Sequence, residues 1–142
     1  MVTIERDQPT VEDEPARERK LDKITVLIVD DSPAVRDGLR SILQANPDID
    51  EVGEAADGLA AIARVEELQP DIILMDAQMP RMDGIEATRH IKARWPDIKI
   101  LFLTVHMEFM EAADAAGADA YLLKDSGREE LLQVVRDLGP RS

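Results

Sequence analysis

Ile72, Ile73, Leu74 and Met75 run apolar without a break and then stop on one carboxylate, Asp76. This stretch most constrains the fold. A short apolar run with no alternation is the mark of a strand buried on both faces of a parallel sheet. In open parallel sheets, ligands bind outside the carboxyl ends of the strands, which is where Asp76 falls. Three further runs behave alike. Val26–Val29 stops on Asp30 and Asp31, the run 98–103 stops on Thr104, and 120–123 stops on Lys124. Four strands that each deliver a polar group to one edge make that edge the candidate site.

Helical patterns fill the gaps. Ser32-Pro33 is a cap followed by proline in the first turn, where its missing donor costs nothing. A helix over Ala34 to Ala45 follows, with Val35, Leu39, Ile42 and Leu43 at helical spacing. Ile49 to Ala55 reads as a weaker strand at an edge, and Asp57-Gly58 opens a helix through about Leu68 that Pro70 ends. Asp83 and Glu86 form a capping pair for a helix from Gly84 to about Arg94. A helix over about Phe109 to Ala116 stops at Gly117. Ser126 with Glu129 is the expected cap of the last helix, to about Leu138. Strand and helix thus alternate five times, which predicts a parallel α/β sheet with helices on both faces and right-handed crossovers.

Composition narrows the function. The 142 residues suit one domain. The formal net charge of −13 opposes direct binding to nucleic acid or to anionic membranes. No apolar run approaches the ~18 residues of a membrane span, and the charged N-terminal stretch does not read as a secretory signal. With no cysteine there is neither a disulfide framework nor thiol chemistry. A cytoplasmic protein is the expectation. Residues 1–22 are crowded with charge and broken by Pro9 and Pro15, so they are expected to be a flexible tail. Residues 23–139 form the expected domain and 140–142 its end.

Taken singly, each polar group has an ordinary reading. Adjacent acids often open a helix, a threonine caps a strand, and Lys124-Asp125 is a surface pair. Their joint occurrence favours chemistry. Three carboxylates in one cleft repel one another unless a cation neutralises them. An all-oxygen site with few protein ligands suits Mg²⁺. An aspartate can act as a nucleophile toward phosphorus, an ammonium can hold one phosphate oxygen and a hydroxyl another.

Asp30-Asp31, Leu74-Met75-Asp76 with Met79-Pro80 and Met82-Asp83-Gly84 behind it, Thr104 and Lys124 together resemble the receiver domain of two-component response regulators. Thr104 follows Asp76 by 28 residues and Lys124 follows Thr104 by 20. The run Ala116 to Asp125 looks most like the nitrate-regulator, LuxR-type branch, whose members carry a helix-turn-helix DNA-binding domain after the receiver. Only Gly139 to Ser142 follow the last helix, so that output domain is not expected in this chain. The resemblance implies a flavodoxin-like sheet of order 2-1-3-4-5 with five helices. It implies that Asp76 takes a phosphoryl group from a histidine kinase. Asp31, Asp76 and the main-chain carbonyl of Gln78 would ligate Mg²⁺, with Asp30 acting largely through water. Thr104 and Tyr121 would form a switch that reshapes the face of the fourth helix, last strand and last helix. A homodimer through that face or the last helix is a further expectation.

The domain would catalyse only its own phosphorylation and dephosphorylation. A phosphohydrolase of the haloacid dehalogenase type would want a second Asp at position 78, which is Gln78. A flavin module would want a phosphate cradle where Asp30-Asp31 stand. A phosphorylation-independent interaction module is opposed by the intact set. His106 reads either as a solvated loop residue or as an influence on dephosphorylation or partner choice. Met107, Phe109 and Met110 are either a soft docking surface or core. Trp95 packs a helix end, and His90 has no assigned role.

Overall fold

The computed structural model describes residues 23–104 and 107–140. The expected tail and His106 lie outside the described residues.

Five parallel strands form one sheet in the order β2-β1-β3-β4-β5. They are β1 (Ile24–Val29), β2 (Ile49–Ala55), β3 (Ile72–Asp76), β4 (Lys99–Thr104) and β5 (Ala120–Leu123). Between and after them lie α1 (Pro33–Gln44), α2 (Gly58–Leu68), α3 (Gly84–Arg94), α4 (Met110–Ala116) and α5 (Arg128–Leu138). A 3₁₀ turn, Met107–Phe109, leads into α4. The flavodoxin-like order and the helix count agree with the sequence reading, and β2 is an edge strand.

The pleat divides the core. Leu27, Val29, Ile73, Met75, Ile100 and Phe102 point to one face and pack with Ala61, Val65, Ala87, Ile91 and Ala113 of α2, α3 and α4. Their neighbours Val26, Ile28, Ile72, Leu74, Leu101 and Leu103 point to the other and pack with Leu43 of α1 and Leu131 and Val135 of α5. Every residue of β3 is buried, which is why its sequence shows no alternation. Each wholly buried Leu, Ile or Phe contributes about 1.5–3 kcal/mol.

The first caps follow the sequence. Ser32 Oγ accepts the Val35 N–H at 3.3 Å, Asp57 the Ala60 N–H at 2.8 Å, and Asp83 the Glu86 N–H at 2.8 Å. The last does not. Gly127, not Ser126, is the N-cap of α5, and no side chain caps it. Ser126 instead donates its N–H to Leu123 at 3.0 Å in the turn after β5. Glu129 still lies in the first turn, where its charge suits the helix dipole. Trp95 closes α3 and packs partly on the core, with the Arg94 guanidinium 4.3 Å from its ring centre. Phe109 also packs on the core, and His90 is exposed.

Candidate acidic site at the carboxyl edge of the sheet

Parallel register brings the polar strand ends to one edge. Val29 pairs with Met75, so Asp30 and Asp76 are the next residues on adjacent strands. Asp76 pairs with Leu103, which puts Thr104 one step beyond. Thr104 pairs with Leu123, the residue before Lys124, and the Thr104 carbonyl accepts the Lys124 N–H at 2.9 Å.

Asp30, Asp31 and Asp76 each offer a carboxylate oxygen, and these oxygens lie within 4.8 Å of one another. Asp30 is buried, Asp31 exposed and Asp76 9% exposed. Asp30 is the most tightly held: Oδ1 accepts the Ser32 N–H at 2.9 Å and Oδ2 the Lys124 Nζ at 2.7 Å. Lys124 Nζ also lies 3.5 Å from Asp76 Oδ1. Burial, then the Asp30 charge, push the Asp76 carboxyl above its usual range, although Lys124 and the Gln78 N–H oppose them. The Lys124 ammonium is shifted up; burial works against this and is outweighed by Asp30 and Asp76. The Lys124 ammonium, 2.7 Å from Asp30, neutralises one of the three carboxylate charges, and two remain in excess. A small hard cation meets that need, and the donor set is all oxygen.

Gln78 is exposed, and its backbone N–H donates to Asp76. The loop that carries it is clamped. Arg81, at φ +69°, pairs with the nearly inaccessible Asp57 at the start of α2. Gly58 N–H donates to the Met82 carbonyl at 3.0 Å, and Gly84 N–H to the Ala77 carbonyl at 2.9 Å. A Cβ at Gly84 would overlap the carbonyl oxygen of Asp76, and one at Gly58 that of Met82. Only glycine lets α3 start against the end of β3. In the sequence Asp57 reads only as a helix opening, because its pairing with Arg81 is made between elements 24 positions apart.

Tyr121 is half-buried, and its hydroxyl donates to Asp114 Oδ1 of α4 at 2.8 Å. Between it and Thr104 lies a cavity of about 190 Å³, also lined by Met110, Ser126 and Glu130. Met110 thus faces a groove, whereas Phe109 joins the core.

Comparison with known proteins agrees with this geometry. The pattern defining the response regulator receiver domain matches residues 26–136. The chain is 48% identical over 115 residues to the response regulator protein VraR of Staphylococcus aureus, covering 80% of this chain and 55% of VraR. It is 45% identical over 117 residues to the transcriptional regulatory protein YxjL of Bacillus subtilis, covering 81% of this chain and 54% of YxjL. The chain therefore spans about half the length of these curated relatives. The solved receiver domain of the putative response regulator NarL from Mycobacterium tuberculosis superposes with a TM-score of 0.77 at 33% identity, over 82% of this chain and 95% of that one. Receiver domains generally signal rather than turn over substrates, take a phosphoryl group from a histidine kinase, and bind Mg²⁺ in an acidic pocket. These matches favour a phosphoacceptor signalling domain over a phosphohydrolase or a phosphorylation-independent module. With its sheet order, its acidic edge and a matching pattern from residue 26 to 136, this chain belongs to the response regulator receiver domain family.

Proposed function

We propose that Asp76 is the phosphoacceptor and that Lys124 and Thr104 serve the transfer. The observation that carries this is the single Lys124 ammonium reaching both Asp30 and Asp76. A carboxylate oxygen of Asp76 forms the new bond to phosphorus. The bond from phosphorus to the donor nitrogen of a kinase phosphohistidine breaks, and the departing imidazole takes up a proton. The transition state is loose and charge-spread, so catalysis is mainly positioning and neutralisation. The domain in this reading promotes its own phosphorylation and dephosphorylation and nothing further.

Asp31, Asp76 and the Gln78 carbonyl would hold Mg²⁺, with Asp30 acting largely through water. When bound, the ion supplies positive charge to the phosphoryl oxygens and relieves the repulsion among the carboxylates. Lys124 then exchanges Asp76 for a phosphoryl oxygen, and the Thr104 hydroxyl donates to another.

Phosphorylation adds roughly −1.5 to −2 charge at Asp76. Thr104 is drawn toward it, and Tyr121 leaves Asp114 to fill the cavity beside Thr104. The α4-β5-α5 face changes shape as a two-state element. A homodimer through that face, or through α5, would read the change. Among the described residues no helix is long and apolar enough to cross a membrane, and we assign the domain to the cytoplasm. Residues 23–139 would act as the unit, feeding a regulator of transcription as the names of its relatives suggest.

Acetyl phosphate with Mg²⁺ should label the wild type and not Asp76→Asn. An unlabelled wild type under those conditions would overturn the proposal.

A further inference from the structure

Arg36 lies in the first turns of α1, mostly buried, and reaches back under the acidic turn. Its Nη1 donates to the main-chain carbonyl of Asp30 at 2.6 Å. Its Nε donates to Glu54 Oε1 of β2 at 2.9 Å. Arg40, one turn on, donates to the other oxygen of Glu54. The Asp30 N–H, for its part, donates to Ala55 of β2 at 3.1 Å. Both peptide groups flanking Asp30 are therefore held, one by β2 and one by Arg36. The peptide gripped by Arg36 is the one that leads into Asp31.

This placement is at odds with simple electrostatics. A guanidinium beside a cluster of carboxylates weakens its hold on a cation. Glu54 offsets part of that charge, but it is shared between two arginines, so the trio keeps one net positive charge. A planar fork that bonds a carbonyl and a carboxylate at once has a geometric use instead. Partners one shell out from a metal fix the direction of the ligands.

We propose that Arg36 is a positioning residue for the divalent-cation site: it fixes the Asp30–Asp31 peptide and so aims both carboxylates, and Glu54 holds its guanidinium in place. The inference rests on the receiver reading of the acidic cluster. It concerns neither the phosphoacceptor nor the cation ligands themselves.

Charge and positioning predict opposite signs. Removing a cation should tighten Mg²⁺ binding if only the field matters. Removing a positioning partner should weaken it, typically by about 10–100-fold. Calorimetric titration of the full chain with MgCl₂ separates the two, with melting temperature in EDTA as the check on folding. Arg36→Gln is expected to bind Mg²⁺ about 10-fold more weakly than the wild type. Arg36→Lys, which keeps the charge and loses the fork, is expected to fall between them. It also decides the matter if the Gln variant does not fold. Wild-type or tighter affinity in Arg36→Lys, or in a folded Arg36→Gln, would overturn the positioning role. A wild type that binds no Mg²⁺ would overturn the acidic-site reading on which it rests.

Discussion

Lys124 donates to Asp30 at 2.7 Å across 94 positions of sequence, and it is Asp30, not Asp76, that holds it most closely. The ammonium is thus parked on one carboxylate and 3.5 Å from the next. A phosphoryl group on Asp76 would compete for it directly.

Lys124→Gln removes the only ammonium or guanidinium that pairs with the carboxylate of Asp30 or Asp76 among the described residues. The cluster then carries more uncompensated negative charge. We expect this variant to bind Mg²⁺ more tightly than the wild type, by severalfold, and to melt at a lower temperature in EDTA. Titration with MgCl₂ and thermal melts check both.

Asp76→Asn has the opposite effect on the metal-free protein. Burial and then the Asp30 charge raise the Asp76 carboxyl's pKa, so its ionised form costs stability. The sign follows from linkage: a raised folded pKa gives stability at low pH that is lost as pH rises through it. The Asn variant should therefore melt above the wild type at pH 7 in EDTA, and added Mg²⁺ should narrow the gap. Equal melting temperatures in EDTA would contradict this.

Most of this site can be read in the linear sequence because each apolar run ends where its chemistry begins. Ile72 to Asp76 needed no partner to be recognised as a central strand, and the acids, threonine and lysine sit at the ends of such runs. Pairs made between elements were illegible. Arg36 and Arg40 look like the wet side of an amphipathic helix, and Glu54 like a charge on an edge strand. Only the packing of α1 against β2 joins them. Asp57 was legible as a cap but not as the anchor of Arg81, since nothing local ties residues 24 positions apart. Ser126 shows the converse. A serine three residues before an acid matches a capping box, yet the turn after β5 uses its N–H, and Gly127 starts the helix.

Asp57 gives the clearest dependence on pH away from the acidic cluster. The Ala60 N–H holds its carboxyl below the usual range against the cost of burial, and Arg81 assists. A depressed folded pKa gives stability that is present above about pH 4 and lost as pH falls through the folded value. Asp57→Ala should cost about 1–2 kcal/mol at pH 7. The difference from wild type should shrink toward pH 3 in urea denaturation. Arg81→Ala, which removes a mostly exposed partner, should cost less than about 1 kcal/mol.

Tyr121 is the only tyrosine of the chain, so its titration is clean. Burial, and then the Asp114 carboxylate that accepts its hydroxyl, push its pKa up to about 12. Asp114→Ala removes the acceptor. The tyrosinate absorbance of that variant should rise at lower pH than in the wild type, toward the ordinary value of about 10. If the hydroxyl bond restrains the switch, the variant should also be phosphorylated faster by acetyl phosphate. An unmoved titration would show that the Asp114 contact is not made in solution.

The central claim is that one carboxylate among three is the acceptor. Borohydride reduces an aspartyl phosphate to homoserine, so acetyl phosphate and Mg²⁺ followed by borohydride and peptide mass mapping reports the position itself. The expected result is homoserine at position 76 alone, dependent on Mg²⁺. Homoserine at position 30 or 31, or none in a wild type that binds Mg²⁺, would contradict it.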